Sequence, residues 1–434
     1  MIVEFSFLLI IIGLIIGIPV PYTFLGAAAF LIFALGLDPS FLVPYAASQI
    51  DTVVILAIPL FIMIGGIMEK GGIGGTLVNW IDVVAGKVKG GLGVVSIVSC
   101  AVFGSVTGSA VATCSAIGSI MFPQLHANGY SKGYSAALIS SSAVIGILIP
   151  PSAIMILYAW IGGQSVLACF LATIVPGVIL IVLKSFINYF LLRNDPDIKV
   201  RERTNIKDDL KLFGTRGLKS TPALLMPVIV LGGIYGGFMT PAEAAAIGVI
   251  YAIPVGFLIY KGLTLKGFMD TLISTARTTG VIMLMLFAMM MLSRVYIMED
   301  LPYTILNALT AISTEKIILL LMLNVFMLII GMLMDDISAV LLSTPIILPV
   351  AILIGVHPIH FAAILGVNLG LGNITPPTAP LFFLGASLGG ANTAEMLKPM
   401  LYLILFGWIP TLIITTYIPA VAMFLPGLLL GIQY

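Results

Sequence analysis

GSVTGS (Gly104 to Ser109) and ISSSAVIGILIPPS (Ile139 to Ser152) are echoed later in the chain by GMLMDD (Gly331 to Asp336) and LGVNLGLGNITPPT (Leu365 to Thr378). A gapless shift of 226 residues sets Pro123 on Pro349, Gly129 on Gly355, Gly146 on Gly372 and Pro150-Pro151 on Pro376-Pro377. It also sets Ala136-Ala137 on Ala362-Ala363, Ala153 on Ala379 and Gly163 on Gly389. A doubled proline inside such a run is not a compositional accident. Internal repeats whose apolar segments are interrupted by Gly, Ser, Thr and Pro point to a secondary transporter.

Composition agrees. Of 434 residues 60% are hydrophobic and 9% charged, against roughly 25% charged in soluble domains, so the chain is a polytopic membrane protein. A net charge of +1 leaves no electrostatic footprint for nucleic acid. MIVEFSFLLIIIGLIIG lacks a basic start and a small-residue cleavage site, and reads as a retained first helix. Cys100, Cys114 and Cys169 lack metal-ligand spacing and read as buried apolar residues. His126, His357 and His360 read as surface residues in connecting stretches.

Working outward, 5–18, 22–36 and 53–68 read as crossings and 73–86 as an interfacial segment. Residues 91–125 form two apolar arms of about 14 residues around Gly104–Ser109. At 1.5 Å per residue each arm is shorter than the roughly 30 Å core, which predicts a re-entrant hairpin. Residues 134–160 form a helix interrupted at Gly146–Ser152, since Pro150 removes a donor and disfavours helix before it. Crossings follow at 166–192, 221–238, 241–260 and 274–296, with an interfacial piece near 299–312. A second hairpin (317–349), a second interrupted helix (359–390, broken at Gly370–Thr378) and a last crossing (396–418) complete the chain.

The predicted units are therefore scaffold helices at 1–72, a first hairpin unit at 73–165, scaffold at 166–298, a second hairpin unit at 299–391, and a C-terminal helix at 392–434. Arg193 to Lys219 carries 8 of the 19 Lys/Arg and reads as a cytoplasmic loop by the positive-inside rule. With each hairpin counted as no net crossing, five crossings lie between the hairpin ends. The repeats are then inverted, with Lys70, Lys87, Lys89, Lys261, Lys266 and Lys398 inside and both termini outside.

Non-helical backbone inside a bilayer survives only where protein, water or an ion satisfies it. Half-helix N-termini suit an anion, whereas half-helix C-termini and free carbonyls suit Na⁺. The side chains at these breaks are hydroxyls and amides: Ser105, Thr107, Ser109, Ser140, Ser141, Ser142, Ser152, Asn368, Asn373, Thr375 and Thr378. Asp335 and Asp336 occupy the second tip, and a carboxylate at membrane depth is a functional candidate by default. Arg294 is either an anion partner or an interfacial anchor, and Glu243 reads as a helix cap.

GSVTGSAVATCSAIG (Gly104 to Gly118), ILIPPS (Ile147 to Ser152), GFMTPAEAAA (Gly237 to Ala246), GMLMDDISAVLLSTPIILP (Gly331 to Pro349) and NLGLGNITPPTAP (Asn368 to Pro380) resemble the large membrane (M) subunit of TRAP transporters, the tripartite ATP-independent periplasmic systems. The resemblance spans nearly the whole chain. It implies an all-α inverted-repeat, elevator-type carrier of the ion-transporter superfamily in the bacterial inner membrane. It also implies Na⁺-coupled uptake of an organic acid, such as a sialic-acid-like sugar acid or a C4-dicarboxylate. The implied partners are a periplasmic binding protein (P) and a small four-helix subunit (Q), expected here as a separate polypeptide.

Carried over by position, one sodium region would comprise Gly104, Ser105, Gly108 and Ser109 with Gly146 and Pro150. The other would comprise Gly331, Asp335 and Asp336 with Gly370, Gly372, Asn373, Thr375 and Pro376. Substrate would lie near Thr107, Ser141, Ser152, Asp335, Asn368, Thr378 and Arg294. The competing expectations are a stand-alone Na⁺- or H⁺-coupled carrier and an intramembrane enzyme. The enzyme is disfavoured, because all three histidines lie outside the breaks and the paired acids are neighbours on one turn.

Overall fold

The computed structural model of the chain describes residues 2–85, 89–199, 206–376 and 378–433, and contains no strand among them. Pro377 and Lys87, which figure in the repeat and in the orientation, lie outside the described residues. Among the described residues eight helices are long and apolar enough to cross a membrane, or nine with the bent pair Lys132–Leu148 and Ala153–Ile161 taken as one span. Large apolar side chains such as Phe33 and Phe238 stand exposed on the outside, as lipid rather than water would require.

The repeat appears helix for helix. Gly91–Thr107 and Ala110–Ala127 form the first hairpin; Lys316–Leu333 and Asp336–Leu353 form the second. The broken helix Lys132–Ala143, Ile145–Leu148 and Ala153–Ile161 corresponds to Pro358–Gly372 and Pro380–Gly389. Val166–Leu192 corresponds to Thr393–Tyr417. The two units interlock: Lys132–Ala143 packs against Pro380–Gly389 and Thr393–Leu403, while Ala153–Ile161 packs against Asp336–Leu353.

Local chemistry sets the boundaries. Ser109, Ser131, Ser165, Thr264 and Asp335 each accept a backbone N–H in the first turn of the helix that follows, a cap worth about 1 kcal/mol. Glu243 closes a reciprocal capping box with Thr240, accepting from Thr240 N at 2.8 Å, so the cap reading of Glu243 holds. The three cysteines are free and buried.

Several boundaries differ from the sequence reading. The hairpin arms are 17 or 18 residues long rather than about 14, because helix continues through Gly104 to Thr107 and through Gly331 to Leu333. At about 1.5 Å per residue such arms are nearly bilayer-length. Re-entrance therefore rests on where the tips meet, not on arm length. The turns proper are Gly108–Ser109 and Met334–Asp335. The first break is Ile149–Ser152, bent by 44°, and the second starts at Asn373 rather than Gly370.

The polar stretch is partly helix, since Ile206–Tyr235 is one 30-residue element. Leu265–Met298 runs 34 residues, beginning before position 274 where Thr264 caps it. Two helices were not anticipated. Pro39–Ile50 is started by Asp38, which accepts from Ser40 N at 2.8 Å. Pro419–Leu430 follows a break at Ile418 and packs on Val166–Leu192. His360 is buried, 2.7 Å from the Thr415 carbonyl through Nε2, not a surface residue.

Candidate functional site

Each hairpin crosses its own broken helix at a glycine pair. A Cβ on Gly104 would stand 2.2 Å from Gly146 Cα, and one on Gly372 would stand 2.5 Å from the Gly331 carbonyl carbon. No side chain fits on Gly104, Gly146 or Gly372, and at Gly331 the nearest atoms would stand at 3.2 Å. These approaches fix the tips against the breaks in the pairs expected from the sequence. Small residues at helix crossings supply packing where lipid removes the hydrophobic drive.

At the first tip Gly108 adopts φ +61, and a Cβ there would meet the Pro151 carbonyl at 2.9 Å. Ser109 caps Ala112 N at 3.3 Å. Thr107 Oγ1 lies 3.2 Å from Thr113 Oγ1, and Ser105 turns back to donate to Val102 O at 2.7 Å. Ser152 stands at the head of Ala153–Ile161 without making the cap bond, and its buried Oγ has no partner. Pro150 lies in the break with no side-chain bond to give.

At the second tip Asp335 accepts from Ile337 N (3.2 Å) and Ser338 N (3.4 Å), and its other oxygen accepts from the Ser338 hydroxyl. Asp336 buries Oδ1 without a partner. Thr378 donates to Met332 O across the break, and Thr375 donates to Leu371 O at 2.6 Å. Asn373 is buried at the helix end, and Pro376 follows half-buried.

One cavity of about 630 Å³ joins these features. Thr107, Gly108 and Ser109 line it from the first tip, Asp335 and Asp336 from the second, and Ala153 from the first break. Both tips thus reach one cavity. Three helix starts border it: those at Ala110 and Asp336 are capped by side chains, and the one at Ala153 is not. At the Ala153 start no side chain takes the first-turn N–H groups, which can face an anion, while the unpartnered Oδ1 of Asp336 remains available to a cation or a donor.

Other sequence candidates sit elsewhere. Ser141 is fully buried: its carbonyl accepts from Lys184 and its hydroxyl from Trp408 Nε1 at 3.2 Å. Asn368 is committed to Asn324 Oδ1 (2.8 Å) and Ile364 O (2.9 Å), and Asn324 in turn to Thr416. Gly370 makes room for Trp408 and Val144. Arg294 is exposed with its guanidinium 5.4 Å from the Tyr45 ring centroid, away from the cavity, which favours the anchor over the anion partner.

Sequence reading missed the opposite wall. Asp270, Thr271, Ser274, Thr275 and Thr278 line the cavity from Leu265–Met298, and Gly65, Gly66, Glu69 and Lys70 line it from Ala57–Lys70. The signal was present as the spacing i, i+1, i+4, i+5, i+8 of polar residues along one face of the helix. Gly65 is the point of closest approach, where a Cβ would lie 3.2 Å from Thr107 Cβ. Lys70 and Gly267 meet at one end of this wall, as do Gly71 and Gly262. The cavity thus reaches the end of the molecule that carries Lys70, Lys261 and Lys266.

An all-helical membrane protein with interlocked repeats, paired hairpins and broken helices belongs to the class of secondary carriers by fold. Solved structures agree on the fold. The YdaH transporter of Alcanivorax borkumensis aligns with a TM-score of 0.58 at 16% identity over 89% of this chain and 90% of its own. MtrF of Neisseria gonorrhoeae aligns with 0.59 at 13% identity over 90% and 85%.

The family described as "Tripartite ATP-independent periplasmic transporter, DctM component" matches residues 6–421, and the chain belongs to that family. Among relatives, the isethionate TRAP transporter permease protein DctMQ of Oleidesulfovibrio alaskensis is 35% identical over 95% of this chain, which spans 65% of that relative's length. The C4-dicarboxylate large permease DctM of Pseudomonas aeruginosa is 33% identical over 86% of each chain. The sialic acid large permease SiaM of Vibrio cholerae is 29% identical over 96% of each. These relatives are permeases rather than enzymes, so the intramembrane-enzyme alternative is set aside.

Proposed function

We propose that this chain is the translocating subunit of a Na⁺-coupled, binding-protein-dependent importer of an organic acid. The observation that carries the reading is the convergence of both hairpin tips and the first break on one cavity lined by hydroxyls and four acids, Glu69, Asp270, Asp335 and Asp336. The uncapped start of Ala153–Ile161 receives the substrate carboxylate through backbone N–H groups. Thr107 and Ser109, which line the cavity, orient it. Na⁺ takes oxygens at each tip-and-break pair, Gly104–Ser109 with Gly146–Ser152 and Gly331–Asp336 with the second break, where Asp335 and Asp336 add the negative charge. Lys70 is the only cationic side chain among the described lining residues, which favours an acid held by helix starts over one held by arginine.

The substrate class follows from the same lining and from the relatives' names: a C4-dicarboxylate, a sialic-acid-like sugar acid, or a small sulfonate of the isethionate kind. The interlocked hairpins and broken helices move as one body against the wall formed by Ala57–Lys70 and Leu265–Met298. This is the elevator step, with Gly65 and Gly66 offering a smooth face to the first tip. A small four-helix subunit and a periplasmic binding protein complete the system in the inner membrane, with the Lys70 end cytoplasmic and the termini periplasmic.

The test is uptake of labelled organic acids into proteoliposomes containing this chain and its small partner, with an inward Na⁺ gradient, with and without the binding protein. Uptake requiring both supports the reading. Uptake without the binding protein makes the chain a stand-alone carrier. Uptake that follows a pH gradient and ignores Na⁺ removal overturns the sodium assignment.

A further inference from the structure

Lys184 is fully buried in the middle of Val166–Leu192. Among the described residues no carboxylate pairs with it. Its Nζ donates to the Ser141 carbonyl and lies 5.0 Å from the centroid of the Trp408 ring. Trp408 is itself fixed, since Nε1–H donates to Ser141 Oγ at 3.2 Å. Trp408 closes the π-helical segment Ile404–Trp408, a wider turn inside Thr393–Tyr417. One ammonium therefore joins the first broken helix to the two helices that follow the breaks in each repeat.

The acceptor explains why a cation is there. Lys132–Ala143 stops at Ala143, so Ser141 belongs to its last turn, where carbonyls have no partner within the helix. Val144 N–H goes to Ser142 O, leaving the Ser141 carbonyl to Lys184. A positive charge at a helix C-terminus is also favoured by the helix dipole. The second repeat is the control. A shift of 226 residues sets Ser141 on Val367 and Lys184 on Pro410. There the helix runs unbroken from Pro358 to Gly372, the Val367 carbonyl lies inside it, and no cation is supplied. The interruption at Val144, between Lys132–Ala143 and Ile145–Leu148, and the lysine occur together in one repeat and are absent together from the other.

We propose that Lys184 is a resident, tethered cation of the carrier. Its ammonium fills the carbonyl end of the half-helix Lys132–Ala143, a site of the kind an exchanging cation would otherwise take, and positions the break that follows. This half-helix end is consequently closed to the coupling ion, and the lysine's charge stays with the broken helix throughout the cycle. Lys184 is a positioning residue and touches no substrate.

The experiment is thermal unfolding of the purified full chain, wild type and Lys184→Ala, in choline chloride, methylammonium chloride and NaCl. A readout of stability keeps the result separate from whether the chain transports. Wild type should melt alike in choline and methylammonium. Lys184→Ala should melt several degrees lower in choline and recover most of that loss in methylammonium, because a small cation can re-enter the vacated position. An unchanged melting temperature, or a loss that no small cation restores, overturns the proposal. Should Lys184→Ala fail to accumulate, Lys184→Arg and Lys184→Met decide. Accumulation of the arginine variant alone supports a required cation, and any other pattern overturns it.

Discussion

At the first tip Ser109 caps its outgoing helix with one neutral bond; 226 residues later Asp335 performs the same task with a carboxylate and three donors. The adjacent position is Ala110 in one copy and Asp336 in the other. The backbone geometry of the two tips is therefore shared while their charge is not. Away from the tips the asymmetry reverses: the first repeat carries the buried cation, Lys184, and the second a neutral amide pillar of Asn324, Asn368 and Thr416. Duplication preserved the turns, caps and glycine crossings, and left each copy to acquire its own polar partners.

The glycine crossings should show the largest effect. Gly104→Val places a branched side chain where Gly146 backbone stands and should cost upward of about 3 kcal/mol, with uptake lost. Gly331→Ala, whose nearest neighbours stand at 3.2 Å, should cost about 1 kcal/mol. Equal melting temperatures for the two variants would break the idea that the crossings carry unequal load.

Charge at the second tip comes next. Asp335→Asn keeps an accepting oxygen for the cap yet removes the charge, so uptake should fall by about tenfold or more with little loss of stability. Ser109→Ala should cost only about 1 kcal/mol and leave the Na⁺ dependence intact. Full uptake by Asp335→Asn would reduce the acid to a cap and erase the functional difference between the tips.

The pillar gives a smaller contrast. Asn368→Ala strips Asn324 Oδ1 of its donor and should destabilise by about 1–3 kcal/mol. Ser142→Ala, the corresponding position, deletes a hydroxyl that has no partner and should be neutral. A reversed order in chemical or thermal denaturation would show that the pillar is not structural. Smallest of all, Arg294→Ala removes one exposed cation–π contact, about 0.5–1 kcal/mol. Substrate affinity should stay unchanged, and a change in the concentration for half-maximal uptake would return Arg294 to the binding site.

Much of this was legible in the chain itself. The gapless repeat, the proline and glycine breaks, the capping box at Thr240 and the membrane class all follow from interactions between near neighbours or from composition, which the chain carries wherever it folds. Arm lengths were misjudged because Gly104 and Gly331 can end a helix or lie inside one. Their inclusion here is forced by close approach to Gly146 and Gly372, residues distant in sequence. Ser141 and Asn368 looked like ligands for the same reason that Thr107 and Asp335 did, as polar groups in apolar segments. Only the packed molecule shows that Lys184, Trp408 and Asn324 had already taken the first pair, leaving the second to face the cavity.

The polar stripe from Asp270 to Thr278 became a wall only once the helix stood opposite the tips. Sequence fixes backbone turns because φ and ψ preferences and missing donors are properties of single residues. Which buried polar atom is satisfied, and which remains free for a ligand, depends on partners 43 to 290 residues away, and only the tertiary structure decides it.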